Sequence, residues 1–446
     1  MVGTQRRNRN FAIVGPALAL LSCATSTCTA LAVSTTPGGF SDKTLGLITQ
    51  RMMEMSLKSW EMGVASEALT ESKYPSLSVF GSDPWVTNTT TSQSIPLDVI
   101  SIADGIMANQ PDFSHTARLL YPYEGSPADS ASTGTGVLLA SKVSDKYDYM
   151  TAASNQLLFT LTKAPKNDIG AISHRMEAVE LWSDSMYMTP PFIAYYGGMT
   201  NNQTLLRAAY RQLKLYHDAL KDPNGSGLLR HIVKGDGGVV DGGLWATGNA
   251  WAAGGMMRVL ASIEASNFKD RMAKERADLV SKTQNLLRAV WTKATTHDTG
   301  LVMNYVDASY PTEQKFGDSA SSALFAASTY RLAQMGYDTT PSLIPYADKA
   351  RQTVQGNVDA RGYVKIVVDP LRWWSQIGTR DSAELDGEVT GDGDFSPEAQ
   401  AFALLMDSAW KDWRKMSNGR ILGDAFGSGH GGSRLDKGKH KVTPQP

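Results

Sequence analysis

Apolar residues recur at helical spacing along most of the chain. Leu205, Ala209, Leu213, Tyr216 and Leu220 follow one another at intervals of three and four, the stripe of a helix with one buried face. The same period predicts helices over Asp42–Glu67, Asp98–Asn109, Gly134–Ala140, Tyr147–Lys163, Glu177–Tyr196 and Asn202–Leu220. It continues over Leu244–Ala265, Lys269–Thr292, Ser319–Met335, Ser342–Gln355 and Pro397–Met416. Alternating patterns are scarce. The best short strand is Val364–Val368, ended by Asp369-Pro370. Successive helices without strands leave a bundle, a solenoid or a toroid. No fixed-period repeat consensus favours the solenoid. Long polar loops rich in Gly, Asp and Trp, such as Lys234–Gly243 and Leu385–Ser396, favour a ring with functional loops at one mouth. The expected fold is therefore all-α, an (α/α)6 barrel of six helical hairpins in a single domain.

The two ends of the chain break this pattern. Arg6, Arg7 and Arg9 precede the apolar run Phe11–Leu21, and Ala30-Leu31-Ala32 has the form of a cleavage site. Ser22, Thr25, Ser26, Thr27 and Thr29 stop the run well short of the ~20 residues of a membrane span. Residues 1–32 are expected to be a signal peptide, 33–426 the barrel, and the Gly-, Lys- and His-rich 427–446 a disordered tail. A secreted, extracellular protein with no membrane attachment after signal removal follows. Both cysteines, Cys23 and Cys28, fall in the leader, so the mature chain would have no disulfide or thiolate chemistry. Sequons at Asn88, Asn202 and Asn224 agree with export.

Composition narrows the function. Hydrophobic residues make up 42% of the 446-residue chain and charged residues 20%, an ordinary globular balance. The formal net charge is −1 and the charges are scattered, so the basic stripe of a nucleic-acid binder is missing. No cofactor or metal is expected, because no H-E-x-x-H or comparable ligand motif occurs. Ten tryptophans and sixteen tyrosines suit stacking on sugar rings, although core packing claims most aromatics.

Two stretches carry candidate chemistry. In Leu181-Trp-Ser-Asp184-Ser-Met-Tyr-Met188, a carboxylate opens an otherwise apolar helix, either as an N-cap or as a buried functional acid. In Trp245-Ala-Thr247-Gly-Asn249-Ala-Trp251, small residues permit close helix packing between two tryptophans. Asp184-Ser-Met-Tyr-Met, followed by Phe192-Ile-Ala-Tyr-Tyr-Gly, resembles the D-x-[LM]-[YF]-M helix of glycoside hydrolase families 88 and 105. Trp245-x-x-Gly-Asn-x-Trp251 resembles their W-x-R-G-x-G-W segment. Gly317-Asp318-Ser-Ala-Ser321 and Ser396-Pro-Glu398-Ala-Gln-Ala-Phe402 extend the likeness, which runs from Asp129 to Trp413.

The resemblance implies an unsaturated glucuronyl or rhamnogalacturonyl hydrolase acting on an oligosaccharide. In such enzymes an aspartate protonates the C4–C5 double bond of a terminal unsaturated uronic acid, and water adds at C5. The proton donor falls on Asp184 and a second aspartate on Asp129, whose alternative role is a helix cap. His174, His231, Trp245, Thr247, Asn249 and Trp251 become candidate substrate-binding residues. Thr247 stands where the family has an arginine, so Arg175, Arg230 or Lys234 would have to supply the cation, or the substrate differs. The alternatives are an inverting glycosidase pairing Asp184 with Asp318 or Glu398, a lyase using Tyr187 or His231, or a non-catalytic glycan binder.

Overall fold

The computed structural model describes residues 38–427 apart from 88–94, 111–113, 297, 307–315 and 380–393. The expected leader, the tail after 427, the Asn88 sequon and most of the Leu385–Ser396 loop lie outside these residues. Helices α1 (Asp42–Met55), α2 (Ser59–Lys73), α3 (Leu97–Ala108), α4 (Pro127–Ser132), α5 (Gly134–Val143) and α6 (Tyr149–Thr162) form the first half. Helices α7 (Ser185–Met199), α8 (Gln203–Leu220), α9 (Ala246–Ala265), α10 (Ala273–Lys293), α11 (Ser319–Gln334), α12 (Ile344–Gly356) and α13 (Pro397–Gly427) form the second. Helix α2, the α4–α5 pair, α7, α9, α11 and α13 pack side by side, and α13 returns to α2 and closes the ring. Helices α1, α3, α6, α8, α10 and α12 lie outside it, so the chain alternates between the two layers, as the helical period predicts.

The two layers differ in sequence because they differ in burial. Outer helix α8 buries Leu206, Ala209, Leu213, Tyr216 and Leu220 and exposes its opposite face. Inner helix α9 is buried on all sides from Ala246 to Ile263, and α11 from Ser319 to Ala333. A helix enclosed all round needs small residues where neighbours approach. A Cβ on Gly255 would meet the Met186 carbonyl oxygen at 1.9 Å. Pro190 has no N–H to occupy that carbonyl, so the proline in α7 and the glycine in α9 belong to one close contact.

Two expected helices need correction. Asp42–Glu67 is broken at Ser56–Lys58, where Glu61 accepts from the backbone N–H groups of Leu57 (2.9 Å) and Lys58 (2.8 Å). No Gly or Pro marks the break; a side-chain cap makes it. Glu177–Tyr196 begins instead with strand β1 (Glu180–Trp182), which pairs antiparallel with β2 (Ile232–Lys234), itself paired with β3 (Val239–Asp241). The remaining short strands are β4 (Val302–Met303), β5 (Gly317–Asp318), β6 (Val367–Asp369) and β7 (Arg372–Ile377). The expected Val364–Val368 strand is shifted, since β6 starts at Val367 and Val364 forms an isolated bridge to Val358.

Candidate active site

A cavity of about 140 Å³ opens where several inner helices begin. Asp129, Asp184 and Glu398 line it together with His174, Arg175, Trp60, Trp182, Trp245, Trp251 and Trp373. Local structure explains each acid's place. Ser126 caps α4 by accepting from the Asp129 N–H (3.1 Å), and Pro127 begins the helix, so Asp129 stands in its first turn without being the cap. Asp184 lies at the cap position of α7 but has helical φ/ψ and makes no side-chain cap bond. Its carboxyl is thereby left for the cavity, where its side chain keeps 14% exposure. Glu398 opens α13 and accepts from the Trp60 indole N–H at 2.6 Å.

Each aspartate has a histidine close by. Asp129 Oδ2 lies 3.8 Å from His174 Nε2, and Asp184 Oδ2 lies 3.6 Å from His231 Nε2. The β1–β2 register sets the second pair, because Trp182 faces Ile232 and Ser183 N–H donates to the His231 carbonyl (2.9 Å). His174 is held through Nδ1 on Ser185 Oγ (2.8 Å) and stacks on Trp182 at 4.5 Å. Burial, aided by the Arg175 charge, lowers its pKa to about 3, so His174 is neutral.

Burial has the opposite effect on the acids. It raises Asp129 to about 8, helped by the charges of Glu124 and Asp184. It raises Asp184, against the attraction of His231 and the hydrogen bond from Ser183. Glu398 is raised well above the ordinary range by burial and by its acidic neighbours, Glu61 foremost. Three carboxyls whose pKa values are raised by burial share one aromatic cavity, an arrangement suited to donating a proton to a bound substrate.

The candidate binding residues divide. His174, Trp245 and Trp251 reach the cavity wall, though both indoles are almost wholly buried and Trp251 packs on Tyr187 and Phe402. His231 is fully buried behind Trp182, Trp245 and Trp373 and does not line the cavity. Asn249 is spent on the backbone, donating to the Leu229 and Trp245 carbonyls and accepting from Leu229 N–H. Thr247 is buried, its Oγ1 3.4 Å from Asp318 Oδ2. Asp318 caps α11 and also accepts from Val368 N–H, which occupies it structurally. Of the three cations considered, Arg175 lines the cavity, Arg230 donates to the Ala219 carbonyl, and Lys234 is exposed on β2. Among the site residues not singled out from sequence are Trp60, Leu371 and Trp373. The doublet Trp373-Trp374 after a Pro-ended strand was the available signal for the last.

Comparisons with known proteins agree with this architecture. The profile of Glycosyl Hydrolase Family 88 matches residues 89–370. The unsaturated rhamnogalacturonyl hydrolase YesR of Bacillus subtilis is 26% identical over 146 residues, which are 31% of this chain and 42% of that protein. A possible member of the GH105 family from Salmonella enterica superposes with a TM-score of 0.59 at 14% identity, over 84% of this chain and 93% of the other. A glycosyl hydrolase family 88 protein from Bacteroides vulgatus gives 0.57 at 15% identity, over 83% and 98%. At these identities the structural likeness is one of fold.

Proposed function

Because this chain belongs to Glycosyl Hydrolase Family 88, we propose that it removes a terminal unsaturated uronic acid from oligosaccharides of a pectin- or rhamnogalacturonan-type polysaccharide. Asp184 is the general acid/base. Its proton passes to C4 as the C4–C5 π pair forms the new C–H bond, and a water oxygen bonds to C5. The surplus proton of that water returns to the Asp184 carboxylate, and one water is consumed. The hemiketal then opens and the aglycone leaves. Asp129, which holds its proton at neutral pH, is a hydrogen-bond donor to the sugar in the same cavity, and Arg175, ion-paired with Glu177 at 2.7 Å, is the cavity-lining cation for the substrate carboxylate in place of the family's arginine.

One observation carries the reading: the Asp184 carboxyl, freed from capping, faces an aromatic cavity that raises its pKa. Standard hydrolysis would need two carboxyls flanking an intact glycosidic bond. The deciding assay is a screen of lyase-digested pectin and glycosaminoglycan oligosaccharides. Loss of the conjugated double bond's absorbance supports the reading; new absorbance means a lyase, and unchanged absorbance with new reducing ends means an ordinary glycosidase. The reading extends to a secreted enzyme, supported by the exposure of Asn202 and Asn224 in their sequons.

A further inference from the structure

His231 is an odd substrate ligand. It has no exposed surface, and its Nε2 has no hydrogen-bond partner among the described residues although it is buried 3.6 Å from Asp184 Oδ2. Its other nitrogen, Nδ1, lies 2.8 Å from Asp241 Oδ2. That same oxygen accepts from Tyr305 O–H at 2.7 Å, and Asp241 Oδ1 accepts from Gly243 N–H at 2.9 Å. With both oxygens engaged as acceptors, the carboxylate requires the hydrogen of the imidazole to be on Nδ1. A ring so held, when it carries a single hydrogen, presents a bare Nε2 to Asp184.

We propose that Asp241 and Tyr305 are positioning residues that fix the tautomer of His231, so that Nε2 accepts a hydrogen bond from the acid form of Asp184. The inference deepens the reading above and rests on Asp184 being the proton donor. Two lone pairs facing each other at 3.6 Å repel, and a proton on Asp184 Oδ2 directed at Nε2 relieves that repulsion as the pair closes to hydrogen-bond distance. A hydrogen bond accepted from the neutral acid favours that acid over its carboxylate. The other tautomer would donate Nε2–H to Asp184, favour the carboxylate and deplete the donor. Among the described residues, the groups facing this pair are Asp241 behind His231, His174 across Trp182, and Asp129, Glu398 and Tyr216 towards Asp184; Arg175 acts through Asp129 and His174.

Asp241→Asn tests the tautomer. To keep the Gly243 bond, the amide must turn its NH2 towards His231 Nδ1, which then becomes the acceptor and moves the ring hydrogen to Nε2. Nitrogen NMR of the intact protein labelled with 15N-histidine, with His231→Gln to assign the signals, reads this without substrate. The expected wild-type spectrum is that of an Nδ1–H ring, and the expected Asp241→Asn spectrum is Nε2–H. In turnover the variant should lose about 10²-fold or more in kcat at neutral pH, on the scale of general acid catalysis. The alkaline limb of its kcat/KM profile should move down by at least one pH unit, while KM changes little because His231 does not reach the cavity. A wild-type ring that is Nε2–H or doubly protonated at neutral pH overturns the proposal, whether or not the variant folds. An unmoved alkaline limb, or a loss confined to KM, overturns it as well. The expected spectra in a chain inert on every unsaturated uronide would uphold the tautomer lock and refute the substrate reading instead.

Discussion

Asp129→Asn should make the protein more stable at neutral pH while costing activity. Burial and the charges of Glu124 and Asp184 raise the folded-state pKa from 3.8 to about 8. The unfolded chain ionises this group near 4, so between those values the folded state binds more protons, and stability falls as pH rises through the window. At 1.36 kcal/mol per unit, the deficit reaches about 4 kcal/mol by pH 7 and levels off above pH 8. Asparagine has nearly the same shape and carries no charge to bury. The backbone bond from residue 129 to Ser126 Oγ and the start of α4 at Pro127 do not depend on the side chain. For a domain of about 390 residues, with an unfolding entropy near 2 cal/mol/K per residue, about 4 kcal/mol corresponds to a Tm higher by about 5 °C. The assay is paired thermal unfolding of wild type and variant from pH 4 to 8. The variant's advantage should be near zero at pH 4 and grow with pH. A difference that stays constant across the range, or favours the wild type increasingly as pH rises, would refute the argument that a buried, proton-retaining carboxyl stands at this position.

Three further outcomes follow from the same geometry. Asp184→Asn should lower kcat by more than about 10²-fold without lowering Tm, because the side chain caps nothing and burial raises its pKa; steady-state kinetics with thermal unfolding checks both halves. Arg175→Met should raise KM for unsaturated uronides by roughly 10- to 100-fold, the weight of a charge-assisted hydrogen bond, and leave KM for a neutral sugar analogue unaffected. Thr247→Arg should cost about 1–3 kcal/mol in stability, since residue 247 is fully buried against Asp318, and should not improve uronide turnover. A gain in kcat/KM would mean that the added side chain reaches the cavity after all.

The layered helical ring was legible because burial writes itself into spacing. One-sided outer helices such as α8 carry a stripe, and enclosed inner helices such as α9 and α11 are apolar or small all round. The resemblance of the Asp184 and Trp245 segments to a family was legible too, because residue order within a helix is local. The break at Ser56–Lys58 was not, because Glu61 makes it by reaching back to two backbone N–H groups with no Gly or Pro to signal it.

What sequence could not decide was which polar groups were already spent. Asp184 and Asp318 both sit at helix starts, yet Asp318 binds three backbone N–H groups and Asp184 caps none. Asn249 and His231 both flank the same tryptophan, yet one clamps the Leu229 backbone and the other stands behind Asp184. The chain by itself determined the helices, their order and the kinds of residue available for chemistry. Tertiary structure alone decided which carboxyls face a cavity and which histidine faces which carboxyl. Those pairings join residues tens of positions apart, through the β1–β2 register and the meeting of α4, α7 and α13. A pKa depends on what surrounds a group in space, which no local pattern along the chain records.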